Sequence, residues 1–277
     1  MPPKKEAGYY LVILAAPVQP VDESLLADLA MSLKLKPEEL GRIMTAAQPL
    51  PLGRIDAADE ASAITERLRG LGIDCLVISH DDLHLELSST KIRALECSDD
   101  SLTAVSAVGR GRISFPWDDV TLLVAGRIVS NRLEVEERNR RGRSQAVDSR
   151  QFSTDDSVLD IYSSAGGENW RIMAGAFDFS CLGPAKQVTT FQNFTALIEF
   201  LRARSVRAQV DDSYTRIRPL LELVWPLAAQ INKGAIRRTG SGKFDSATIT
   251  TTDNEAQFTR YSRLGYCLRL LELRERK

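Results

Sequence analysis

The chain has 277 residues, 43% of them hydrophobic and 26% charged, with a formal net charge of −1, an ordinary globular composition long enough for about two domains. No apolar run approaches the roughly 20 residues that a bilayer-spanning helix needs. The four cysteines, Cys75, Cys97, Cys181 and Cys267, form no CxxC pair, which excludes zinc-ribbon and thioredoxin-type spacing and suits reduced thiols in a cytoplasmic protein.

The opening MPPKKEAGYYLVILAAP has the basic start and short apolar run of a secretory signal, but Glu6 and the helical pattern behind it favour a strand of a folded domain. DESLLADLAMSL and KPEELGRIMTAA then read as two helices across a very short break. The first sets Leu25, Leu29, Ser32 and Leu33 on one face, and the second opens at Pro37 with Glu38 and Glu39 at its positive end. PLPLGRI is a short extended segment. AADEASAITERLRGLG is a third helix, with Ala61, Ile64, Leu68 and Leu71 on one face and Gly70 and Gly72 to stop it. IDCLVIS is a closing strand.

This βααβαβ order and spacing over residues 8–79 resembles the C-terminal domain of the bacterial ribosomal stalk protein, which implies a small α/β sandwich. That family's first helix pair is rich in lysine around a glycine-containing break and contacts translation factors. The matching residues here are acidic and break at Lys34–Lys36, so no binding residue is carried over. His80 and His84 stand four apart in the following connection, without a third metal ligand in view.

From 85 to 206 the pattern turns to short β-branched and aromatic runs: KIRALECS, SLTAVSAV, RISFPW, DVTLLVAGRIV, NRLEVEER, SVLDIYSS and NWRIMAGAFDFS. The helix NFTALIEFLRAR follows, with Phe194, Leu197, Ile198 and Leu201 as its stripe. Seven strands and a closing helix look like a pleckstrin-homology-like domain. The polar insertion EERNRRGRSQAVDSRQFSTDDS reads as a disordered hairpin loop, locally basic at Arg138, Arg140, Arg141 and Arg143.

In the last segment RPLLELVWPLAA is a short apolar helix or extended piece and ATITTT a strand. Asp253 suits an N-cap for a helix whose face is Phe258, Tyr261, Leu264, Leu268 and Leu271. Gly265 lies in that face, where it suits a close backbone approach, and Arg263 points away from it as an ordinary surface residue. Leu268 is the packed position on that reading. GAIRRTGSGKF fails as a phosphate loop, since Arg237 stands where the first glycine belongs and Phe244 follows Lys243. The adjacent carboxylate pairs, such as Asp155-Asp156, diverge on strands or cap turns.

Charge is uneven: residues 1–100 hold 10 Lys/Arg against 17 Asp/Glu, and residues 213–277 hold 12 against 6. The expectation is an α+β chain with a βααβαβ unit at 1–82, an antiparallel β-barrel-like domain with a closing helix at 83–206, and a C-terminal extension at 207–277 docked on both. The function read from it is non-catalytic protein interaction, bacterial in style, with no catalytic, cofactor or metal site assigned. The alternative is nucleic-acid or ribosome association through a basic C-terminal set of Arg237, Arg238, Lys243 and Arg263.

Overall fold

The computed structural model describes residues 8–17, 21–46, 48–109, 111–140, 143–164, 169–237 and 244–275, with backbone alone at 137–140, 143–147, 234–237 and 244–247. The fold is α+β, with the expected order in its first unit: β1 (Tyr9–Ile13), α1 (Glu23–Ser32), α2 (Pro37–Met44), β2 (Leu50–Ile55), α3 (Ala58–Gly70) and β3 (Cys75–Ser79). β1 is the middle strand of an antiparallel sheet of order β2-β1-β3. A central strand buries both faces, which is why Tyr10, Leu11, Val12 and Ile13 run without polar interruption.

The caps are local. Asp22 accepts the Ser24 N–H at 2.9 Å and starts α1. At its other end Lys34 takes a left-handed φ of +58°, and the Leu35 N–H reaches back to the Ala30 carbonyl at 2.9 Å. A lysine thus occupies the conformation that glycine adopts without a steric cost. Gly72, at φ +72°, closes α3 in the same way, with the Ile73 N–H on the Leu68 carbonyl at 3.0 Å.

The rest of the chain builds one open, curled sheet. Its elements are β4 (Thr90–Cys97), β5 (Ser101–Ser106), β6 (Arg112–Pro116), β7 (Val120–Arg140), β8 (Arg143–Ser163), β9 (Trp170–Met173), α4 (Thr190–Arg204), β10 (Gln209–Asp211), α5 (Tyr214–Leu221), β11 (Ala229–Arg237), β12 (Phe244–Asp253) and α6 (Glu255–Glu275). The strand order is β11-β12-β7-β8-β9-β4-β5-β6, with β10 also on β7. All pairs are antiparallel except β4–β9 and β10–β7.

Two expectations are corrected here. The runs DVTLLVAGRIV and NRLEVEER are one strand, β7. The insertion read as a disordered loop is mostly ladder, since β7 and β8 stay paired out to Arg140↔Arg143. Of the side chains described there, Glu136 and 148–157, none is buried, and a sheet open to water on both sides accepts polar residues at every position.

Alternation along β7 and β8 divides two cores. Leu122, Val124, Ile128, Val158 and Tyr162 join the first, with the βααβαβ unit, α5 and α6. Leu123, Ala125, Leu159 and Ile161 join the second, under α4. Tyr10 of β1 meets Trp225 edge to face at 5.6 Å, inside the first core. Among the described residues no helix is long and apolar enough to cross a membrane.

Candidate functional site

Past the two cores, β11, β12 and the outer halves of β7 and β8 continue as a four-stranded arm. No described side chain from Val129 to Ser157, or from Pro226 to Asp253, is buried. Cross-strand register sorts the arm into two faces. One face carries the rows Ala229, Thr252, Asn131, Ser153; Ile231, Thr250, Leu133, Gln151; and Lys233, Thr248, Val135, Ser149. Within these three rows Lys233 is the one charge. Leu133 is 41% exposed and Ile231 64%. The opposite face carries Arg132, Glu134, Glu136, Asp148 and Arg150, with an Arg132–Glu134 ion pair at 2.7 Å.

The arm is anchored at its root by Asn254, where β12 turns into α6. The last β12–β7 pair is Asp253↔Ser130. One step on, the Asn254 side chain takes the place of a strand. Its Oδ1 accepts the Val129 N–H at 2.6 Å, and its Nδ2 donates to the Arg127 carbonyl at 2.9 Å and to Tyr214 Oη at 2.8 Å. A buried amide can meet all these backbone groups, which otherwise would lose their ladder partners. The predicted cap moves by one residue: Asn254 precedes the helix, while Asp253 accepts the Glu255 N–H at 3.0 Å.

A buried polar seam fixes α6 on the sheet. Asp160 and Arg171 are register partners on β8 and β9. Arg171 donates Nε–H and Nη2–H to the two Asp160 oxygens at 2.7 and 2.8 Å, in the two-pronged geometry that suits guanidinium and carboxylate. From α6, Ser262 donates to Asp160 at 2.8 Å, and Thr259 accepts from Arg171 at 3.0 Å. Tyr162 Oη lies 2.8 Å from Ser262 Oγ, which has given its proton to Asp160, so the phenol donates. Burial, then the Asp160 charge, holds the Tyr162 phenol far above its usual range.

Beside the root, an open cleft of about 930 Å³ follows the free edge of β10, between α4 and α6. Tyr261 donates its phenol to Asp211, which also accepts the Ser213 N–H at 2.9 Å. Burial, and next the Asp211 charge, push the Tyr261 phenol well above its ordinary value, so it serves as a fixed donor. Arg127 is paired with Asp155 at 2.9 Å, and Arg269 with Glu272 at 3.0 Å. Gln48 bonds Ser213 at 2.6 Å and ties the first unit to this rim.

Of the predicted anion-binding set, Arg237 ends β11, and Arg238 and Lys243 lie outside the described residues. Arg263 is a correction. It is 2% exposed, donates to the Leu87 carbonyl at 3.1 Å, and stands 5.7 Å from the Tyr162 ring centre. It faces inward because the buried side of α6 meets a polar seam as well as an apolar core. Phe258, Tyr261 and Leu264 are buried as expected, whereas Leu268 is half-buried in the cleft wall and Leu271 is exposed.

The expected mutational order therefore reverses. Arg263→Ala should cost about 2 kcal/mol through a lost charged hydrogen bond, and Leu268→Ala about 1 kcal/mol for partial burial. Urea midpoints of the two variants check this, and a Leu268 variant weaker than the Arg263 variant refutes it.

His80 Nδ1 lies 3.4 Å from the Tyr10 hydroxyl, and His84 Nδ1 lies 3.2 Å from Glu86. Among the described residues no group of three or more His, Cys, Asp or Glu side chains could hold a metal ion. The Asp160–Arg171 pair escaped the sequence reading, although a signal existed. VLDIY and WRIM each place a single charge inside an apolar run, and the charges are opposite. Compared with protein-family models, curated proteins and solved structures, the chain matches none of them.

Proposed function

We propose that this chain is a non-catalytic interaction protein that seats a protein partner on the weakly charged face of its arm. The observation that carries the reading is the contrast between the two faces. Both are open to water, yet one holds five charges in its central rows and the other only Lys233. Leu133 and Ile231 share a row of that second face, on either side of Thr250, and covering them removes apolar area from water. The fixed pairs around the root support the same reading, since they hold the arm in place through groups already committed to one another.

A photo-reactive residue placed at Leu133 tests this, with the same residue at Glu134 as the opposite-face control. In extract of the source cells, position 133 should give discrete protein adducts and position 134 few. Leu133→Asp should release the same proteins from affinity capture while thermal unfolding of the chain stays within a degree or two. Equal labelling at both positions, or capture indifferent to Leu133→Asp, would sink the proposal.

A further inference from the structure

β10 is paired on one side only. It runs parallel to β7 from Gln209↔Leu122 to Asp211↔Val124, and no described strand lies on its other edge. Backbone groups of alternate residues point to opposite edges of a strand, so part of the β10 set faces the cleft. The cleft is walled on one side by Phe191, Ile198 and Glu199 of α4, and on the other by Gly265, Leu268 and Glu272 of α6. β10 alternates between these walls. Val210 packs on the second core under α4, while Gln209 donates to Glu272 at 3.2 Å and Asp211 accepts from Tyr261. A strand laid along the free edge continues that alternation, with one row of side chains towards each helix.

We infer that the free edge of β10 takes up an extended, basic segment of a partner protein as an added strand, with apolar side chains set against Phe191 and Leu268. Strand addition suits an unpaired edge because the backbone ladder supplies affinity and the flanking walls choose the side chains. Both walls offer apolar surface: Phe191 is 68% exposed, and Ile198 and Leu268 are half-buried. At Gly265 a Cβ would meet only Leu122, at 3.7 Å, so the α6 wall leaves room for an incoming side chain. From strand and sheet spacings a packed strand residue fills roughly 160 Å³, so the cleft of about 930 Å³ suits a segment of about five or six residues. Charge selects a cationic segment. Arg127 and Arg269 are already paired with Asp155 and Glu272, and Asp211 is held by Tyr261 and Ser213. Glu199 and Asp212, both exposed, form no ion pair with a described residue, and Arg202 is the one cation left against them in the lining. The surplus is therefore negative. The inference stands apart from the docking face of the arm, which is a different surface.

The test pans a library of displayed random decapeptides on the full chain and measures the selected peptides, labelled and synthesised, by fluorescence anisotropy. They should combine apolar residues with lysine or arginine. Gly265→Phe, which fills the cleft, and Phe191→Asp, at an exposed position, should each weaken binding by about tenfold or more, with thermal unfolding intact. Glu199→Lys/Asp212→Lys should weaken it by about threefold to tenfold. An added strand meets β10 along one edge only. N-methylation of alternate peptide nitrogens in one register should therefore cost about tenfold, and in the other register less than about twofold. Leu133→Asp should leave these affinities unchanged, which separates the cleft from the arm. Failure to enrich any peptide, or full affinity in both Gly265→Phe and Phe191→Asp, overturns the inference. So do equal effects of the two methylation registers, and a selection that yields only peptides lost on Leu133→Asp. Self-association of the chain abolished by Gly265→Phe would assign the edge to a second copy instead.

Discussion

Arg171→Met should destabilise the chain by about 3–5 kcal/mol, because it leaves the Asp160 carboxylate buried without its counter-charge. Asp160 is fully buried and Arg171 3% exposed, so neither charge can turn to solvent. The pair is linked to α6 by Ser262 and Thr259, and to its first turn by Glu255, 3.4 Å from Arg171 Nη1. Loss of the guanidinium therefore weakens the helix that holds Asn254, and with it the root of the arm. The double variant Asp160→Leu/Arg171→Met should recover most of the loss, since a buried pair exchanged for well-packed apolar groups is close to neutral. Denaturant unfolding of the wild type, both single variants and the double variant measures the coupling. A cost for Arg171→Met below about 1 kcal/mol, the range of exposed ion pairs, would mean that the seam is wet.

The sequence shows the elements whose stability is local. The βααβαβ order, the stop at Gly72 and the α4 stripe all depend on residues within a few positions of one another. It does not show what distant partners supply. Arg263 looks like a surface residue because a helical stripe counts apolar side chains only, while the buried side of α6 also includes Gln257, Ser262, Arg263 and Arg269. Their partners come from elsewhere: Gln257 donates to the Trp225 carbonyl, Arg263 to the Leu87 carbonyl and Arg269 to the Arg207 carbonyl. The arm escapes for a similar reason. β7 pairs with β12 on one edge and β8 on the other, so its outer half is held by hydrogen bonds between segments far apart in the chain. Composition within 136–157 resembles a solvated loop, and the side chains described there, Glu136 and 148–157, are all at least partly open to water.

Gly126→Ala should cost about 3 kcal/mol, the upper end of the usual overpacking range. A Cβ at this position would sit 2.7 Å from the Phe258 ring and 2.8 Å from the Tyr214 ring. Both rings are fully buried and packed edge to face at 5.0 Å, so neither has room to retreat. Tyr214 is also held by its hydroxyl, bonded to Gln257 at 3.0 Å and to Asn254 at 2.8 Å. Glycine within a strand normally weakens it, and here it makes room for α6 to lie against β7. Gly265 on the facing helix supplies the contrast. A Cβ there meets only Leu122, at an ordinary 3.7 Å, so the close approach expected at Gly265 belongs to Gly126. Gly265→Ala should stabilise the chain by about 0.5–1 kcal/mol through helix propensity. Thermal and urea unfolding of the two variants should therefore move in opposite directions. Phe258→Leu in the Gly126→Ala background should restore part of the loss by giving the methyl group space. A neutral Gly126→Ala, or a Gly265→Ala as damaging, would show that α6 seats on the sheet in another register.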